Sequence, residues 1–257
     1  MPTTLFTDIV TEVYDFENNG NAVKDAAHDL TEVNIPTYGS TSPPQGSYYA
    51  DLDAATAEHF THADDADFDT DSDKYTVAFW IYSAVNNPQI ATKGGLFGTQ
   101  GWNVLGEYVS GSDYDIAIKH RNGSINYLCH SGFHISANKN AWFHVVASYD
   151  SSTGEITWWV SDDTTFGSEI NGSAISIGAA APANSDAMYI GGTSATTTLD
   201  GRLDEFAWFK GYAVNATEAE EIYKGTSSGG WREAAGGGFH PSWAKHANKI
   251  LGAGAIV

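Results

Sequence analysis

Six aspartates fall within ten residues in the stretch HADDADFDTDSDKYTVAFWIY that begins at His62: Asp64, Asp65, Asp67, Asp69, Asp71 and Asp73. Carboxylates at this density could chelate calcium, supply a catalytic pair, or form a solvated approach to the strand-like run that follows. A calcium loop of the EF-hand type needs glycine at its sixth position and glutamate at its twelfth. Counted from Asp65 these are Thr70 and Thr76, and counted from Asp67 they are Ser72 and Ala78, so the pattern fails. The segment reads as a solvated lead-in whose mutually repelling charges invite a counter-cation or a basic partner surface.

The other reactive side chains are dispersed. His59, His62, His120, His130, His134 and His144 are scattered among strands and loops, and Arg121, Arg202 and Arg232 lie far apart. No Ser-His-Asp order can be assigned, and no glycine-rich phosphate loop follows a strand. The lone cysteine, Cys129, excludes an internal disulfide framework. It reads as a small buried apolar residue, because His130 beside it in a strand must point to the opposite face.

The elements that would carry these residues are mostly strands. YTVAFWIY places Tyr75, Val77, Phe79 and Ile81 on one face and Thr76, Ala78, Trp80 and Tyr82 on the other. AWFHVVASYD and GEITWWVSDD are two strands joined by DSSTG. DYDIAIKHRNGSINYLCH is a hairpin turning at Asn122-Gly123, and SDAMYIGG and GRLDEFAWFKG supply two more strands. One helix is expected in VNATEAEEIYKG, about nine residues long. Asn215 is its N-cap, Glu218 completes a capping box, and Gly225 ends it. Short strands with regular turns predict an all-β, two-sheet antiparallel sandwich.

The formal net charge of −20 over 257 residues opposes binding to a phosphate backbone. MPTTLFTDIV predicts no secretory leader, and no run approaches the roughly 20 apolar residues of a membrane span. Composition changes after Gly225. Arg232, Lys245 and Lys249 against Glu233 give residues 226–257 a formal +2, so the rest carries −22 of the total −20. Residues 1–225 are thus expected to form one domain and 226–257 an arm. Trp231, Phe239, Trp243, Ile250 and Leu251 would dock that arm on a partner.

The order of motifs resembles the laminin-G-like, concanavalin A-like jelly-roll superfamily. An opening strand and acidic turn, VYDFENNGNAVKDAA, precede YTVAFW, then AWFHVVASYD, then the closing LDGRLDEFAWF and its helix; the likeness covers about residues 10–225. It implies a jelly-roll sandwich that binds more often than it catalyses. It also implies a structural calcium near Asp25 and Asp204, and a structural role for His144. Related glycosidases carry a Glu-x-Asp-x-x-Glu strand, which this chain lacks. Retaining hydrolysis needs two carboxylates about 5 Å apart on one face, whereas alternation sends Asp204 and Glu205 to opposite faces. The chain is therefore read as non-enzymatic.

Two roles are compatible with these features. The preferred one is a virion-surface protein of phage type, made in a host cytoplasm, which decorates a capsid or fibre through its arm and self-associates. The alternative is a free, extracellular carbohydrate-binding or adhesion module. A host-surface glycan would stack on exposed aromatics, with Trp102, Tyr108, Tyr114 and Trp159 as candidates beside Tyr127 and Trp158.

Overall fold

A computed structural model describes residues 10–44, 46–70, 74–94, 100–123, 125–168, 170–193 and 198–227. The described residues form fifteen strands. The first five are β1 (Glu12–Tyr14), β2 (Thr31–Val33), β3 (Thr37–Gly39), β4 (Tyr49–Leu52) and β5 (His59–His62). Next come β6 (Lys74–Ser83), β7 (Gln89–Lys93), β8 (Gln100–Ser110), β9 (Asp113–Asn122) and β10 (Ile125–His134). The last five are β11 (Trp142–Asp150), β12 (Glu155–Asp162), β13 (Ile170–Ser176), β14 (Met188–Ile190) and β15 (Gly201–Lys210). One helix follows, α1 (Ala216–Ser227). Among the described residues no helix is long and apolar enough to cross a membrane.

Two antiparallel sheets form a sandwich. One has the order β13-β12-β11-β6-β15-β4-β3, with β1 also paired to β15; the other runs β10-β9-β8-β7-β14-β5-β2. Between them lies an aromatic core in which Trp102 stacks on Trp208 at 4.7 Å and Trp208 on Tyr75 at 5.2 Å. Tyr75, Val77, Phe79 and Ile81 all join this core, as the alternation of YTVAFWIY requires. The opposite face of β6 is also buried over Thr76, Ala78 and Trp80, because α1 lies against it.

That helix has the expected start. Asn215 Oδ1 accepts from Thr217 N at 2.9 Å and Glu218 N at 3.1 Å, while Asn215 N donates to Glu218 Oε2 at 2.8 Å. It does not stop at Gly225 but runs through to Ser227. Its inward residues, Ala219 and Ile222, complete a second apolar cluster with Val10, Val13, Ala78, Val146, Trp159 and Phe209. Burying this stripe holds the helix, since so short a helix is marginal on its own.

Two local expectations shift by one residue. Asn122 still belongs to β9 and pairs with Ile125, so the connection begins at Gly123, whose φ of +61° is the left-handed value. In β15 the register slips between Asp204 and Ala207, with Glu205 at φ +51°. This bulge lets Leu203, Phe206 and Trp208 all reach the inter-sheet core. It lies where β15 changes partners, from β4 at Gly201–Leu203 to β1 at Phe206–Trp208.

Candidate functional site

The acidic stretch is bound into the fold at every described aspartate. Lys93 on β7 is fully buried, and its ammonium donates to Asp69 Oδ1 at 2.6 Å and Asp64 Oδ1 at 2.8 Å. Phe68 enters the core between the two ends of this segment. The indoles of Trp102 and Trp208 donate to Phe68 O at 2.8 Å and Asp67 O at 2.9 Å. A 3-10 turn over Ala66–Phe68, capped by Asp65, is thus tied to the core's central tryptophans. The expectation of a solvated lead-in holds for the exposed Asp64 and Asp67 and is corrected for Asp69, which is buried against Lys93; Asp71 and Asp73 lie outside the described residues. The signal missed was Lys93, a lone charge in the apolar strand QIATK, which once buried must find carboxylate partners.

Asp67 also lines an open cleft of about 510 Å³, together with Val10, Thr11, Lys24, Asp25, His28 and Lys210. Asp25 caps the 3-10 turn Ala26–His28, with its Oδ1 accepting from Ala27 N at 2.9 Å. Asp204 is fully buried in β15, and its Oδ1 accepts from Glu205 N at 2.9 Å. Among the described residues, the group of three or more metal-type donors that converges here is His28, Asp65 and Asp67, without Asp25 or Asp204.

The aromatic candidates divide. Trp102 and Trp159 are 2% and 3% exposed, so neither can stack on a ligand. Trp102 is central to the inter-sheet core, and Trp159 is roofed by α1. Trp158 is buried as well, so the two adjacent indoles face opposite ways and neither meets solvent. Tyr127 is half-buried against the core. Tyr108 is 53% exposed and meets the half-buried Tyr114 edge-to-face at 5.6 Å, at the far end of the β8–β9 hairpin. Trp231, Phe239, Trp243, Ile250 and Leu251 lie outside the described residues.

A different aromatic surface comes from pairing across five strands. Trp142 opposes Tyr82, Tyr82 opposes Arg202, Arg202 opposes Asp51, and Asp51 opposes Thr37. The row runs from β11 through β6, β15 and β4 to β3 on the outer face of the sheet, beyond α1. Trp142 meets Tyr82 edge-to-face at 5.8 Å and Tyr49 at 5.5 Å. The Arg202 guanidinium lies over both tyrosines, 4.6 Å from the Tyr82 centroid and 4.9 Å from that of Tyr49, and its Nε is 3.5 Å from Asp51 Oδ2. Burial raises the Asp51 carboxyl above its ordinary range, and Arg202 opposes that shift. The Tyr49 ring rests on bare backbone: a Cβ at Gly39 would sit 2.2 Å from its ring carbon. Tyr82, Trp142, Arg202 and Asp51 are all half-buried, so each keeps an edge in solvent. Sequence alternation placed Tyr82 on this face, but nothing local joins it to Trp142, Arg202 or Asp51.

The sandwich is similar to several solved structures. Domain 4 of AbnA, a GH43 extracellular arabinanase from Geobacillus stearothermophilus solved with arabinotriose, aligns at 14% identity and a TM-score of 0.58, over 84% of this chain and 98% of that one. The binding domain of Paraclostridial Mosquitocidal Protein 1 aligns at 15% identity and 0.59, over 84% and 52%. The botulinum neurotoxin serotype G binding domain aligns at 15% identity and 0.57, over 83% and 50%. This chain therefore spans about half the length of those toxin domains, and at such identities the likeness is one of fold. No curated protein matches the sequence. The Laminin_G_3 family model, described as the Concanavalin A-like lectin/glucanases superfamily, matches residues 54–220, and the chain belongs to that family.

Proposed function

We propose that the protein is a non-catalytic binding module that recognises a neutral glycan on the row formed by Trp142, Tyr82, Arg202 and Asp51. The observation that carries this reading is the row itself. It sets two half-open aromatic rings beside a guanidinium and a carboxylate, all held by strand pairing and ring contacts. Aromatic faces take up the apolar face of a sugar, and the charged pair orients its hydroxyls. The formal charge of −20 disfavours acidic glycans. The arabinotriose-bound neighbour and the toxin binding domains support a binding role on this fold.

The test is calorimetric titration with neutral oligosaccharides chosen from a glycan array, arabinotriose among them. The intact protein should bind at least one, and Trp142→Ala should weaken it about tenfold, or about 1.4 kcal/mol. Tyr108→Ala should leave affinity unchanged. Loss with Tyr108→Ala and none with Trp142→Ala would move the site to the β8–β9 hairpin.

A second reading places this module on a virion surface, held by residues 226–257 to capsid or fibre subunits. The charge contrast of +2 against −22 favours it. Light scattering and particle co-sedimentation, comparing the full chain with one ending at Ser227, test it. Decoration by the shortened chain would remove the arm from the account.

A further inference from the structure

We propose that His28, Asp65 and Asp67 form a binding site for a divalent transition-metal ion of the zinc type. Glu12 would act as the outer carboxylate that orients the histidine. The argument begins with Glu12, which is fully buried. Its Oε1 accepts from Val13 N at 2.9 Å and Lys24 N at 2.7 Å, and its Oε2 accepts from Asp25 N at 3.0 Å. With its oxygens acting as acceptors, the 3.1 Å contact from Oε2 to His28 Nδ1 requires that nitrogen to donate. In the neutral ring the lone pair is then on Nε2.

His28 is only 7% exposed, and among the described residues Nε2 makes no hydrogen bond. It points at Asp65 Oδ2 and Asp67 Oδ2, each 3.6 Å away. All three donor atoms lie within 4.8 Å of one another. Three acceptors turned toward one point repel each other unless a cation sits among them. Metal–ligand bonds of about 2.1 Å in a tetrahedron put donors about 3.4 Å apart, close to the 3.6 Å from Nε2 to each carboxylate. An imidazole nitrogen with two carboxylates suits a first-row divalent ion better than calcium or magnesium, which prefer oxygen alone. A carboxylate behind the ring nitrogen remote from the metal is the usual support for such a ligand.

The donors are also held in place beforehand. Asp65 Oδ1 caps its own turn through Asp67 N at 2.9 Å, leaving Oδ2 for the ion. Trp208, Trp102 and Lys210 bond the carbonyls of Asp67, Phe68 and Ala66. His62 contacts both Ala27 O and Ala63 O, which links the two segments that carry the ligands. The fourth position opens on the cleft and would take water or a ligand atom. The site is thus a clamp between the N-terminal segment and the acidic one.

The occupant that competes for the space is a proton on Nε2. After chelator treatment, the full-length protein is titrated with Co²⁺, followed by visible absorbance and calorimetry, in excess Mg²⁺ to suppress carboxylate-only binding. The expected result is one equivalent with a d–d spectrum typical of nitrogen and oxygen ligands, displaced by Zn²⁺. Asp67→Asn, at an exposed position, should weaken binding at least tenfold without changing the far-UV spectrum, and Glu12→Gln should weaken it by about 10- to 100-fold. Thermal melting should rise with Zn²⁺ in the intact protein and not in Asp67→Asn. Absence of stoichiometric binding in Mg²⁺ would overturn the proposal. So would equal affinity in Asp67→Asn, or a protonated Nε2 persisting in imidazole ¹⁵N spectra at saturating Zn²⁺.

Discussion

His144 shows how one side chain can be held by packing alone. It stands on β11 directly opposite Trp80, with its ring 5.0 Å from that indole and 5.7 Å from Tyr223 of α1. Among the described residues neither ring nitrogen has a hydrogen-bond partner. Burial lowers its pKa from 6.5 to about 3, so the folded protein holds it neutral. His120 is lowered to about 4 for the same reason, although its Nδ1 donates to Ala179 O at 2.9 Å and Nε2 meets the Tyr75 hydroxyl at 2.6 Å. For both, the unfolded chain binds the proton more readily. Their contribution is present above pH 6.5 and is lost as pH falls toward 4 and 3. His144→Phe removes a polar ring from an apolar slot. It should therefore match or exceed the parent's stability at pH 7 and flatten the decline between pH 6.5 and 4 in urea melts. An unchanged acid slope would remove His144 as its source.

Among elements, the segment from Asp64 to Asp69 is the most consequential, because it holds no more than one 3-10 turn and yet is tied to the centre of the core. Its buried cationic anchor is Lys93, with Asp69 beside it only 5% exposed. Removing one partner of such a pair leaves a buried charge without compensation, at about 3–5 kcal/mol. Lys93→Met, which keeps the stem and deletes the charge, should lower the unfolding free energy by that amount. A loss under about 1 kcal/mol would mean that the carboxylates relax into solvent and the anchor is dispensable. The same substitution should also loosen Asp65 and Asp67, so metal affinity should fall with stability. By contrast, α1 is secured twice, by its capping box and by its apolar stripe.

At the scale of the whole molecule, one outer sheet face has two uses. α1 roofs Ala78, Val146 and Ala207, while the row from Trp142 to Asp51 stays half open. Every element described through α1 is joined to the sandwich by strand pairing or burial. A chain ending at Ser227 should therefore keep a β-rich circular dichroism spectrum and melt within about 4 °C of the full chain, a shift that corresponds to about 1–2 kcal/mol at this size. A larger drop would show that residues 228–257 contribute to the fold, against the reading of a separate arm.

What the sequence determined by itself was whatever depends on near neighbours. The period-two pattern of YTVAFWIY, the Asn215–Glu218 capping box and the order of strand motifs were legible because each is set within a few residues by backbone geometry. What only the tertiary structure decided was which faces are covered and which distant residues meet. Trp102 and Trp159 read as possible ligand platforms until the opposing sheet and α1 closed over them. His28 meets Asp65 and Asp67 across nearly forty residues, and Tyr82 meets both Trp142 and the still more distant Arg202. Those meetings depend on strand register, and a shift of one residue turns every side chain to the other face. The bulge at Glu205 is such a shift, and local alternation gives no sign of it. Register is set by the sum of buried contacts over the whole sandwich, so no window of the sequence contains it.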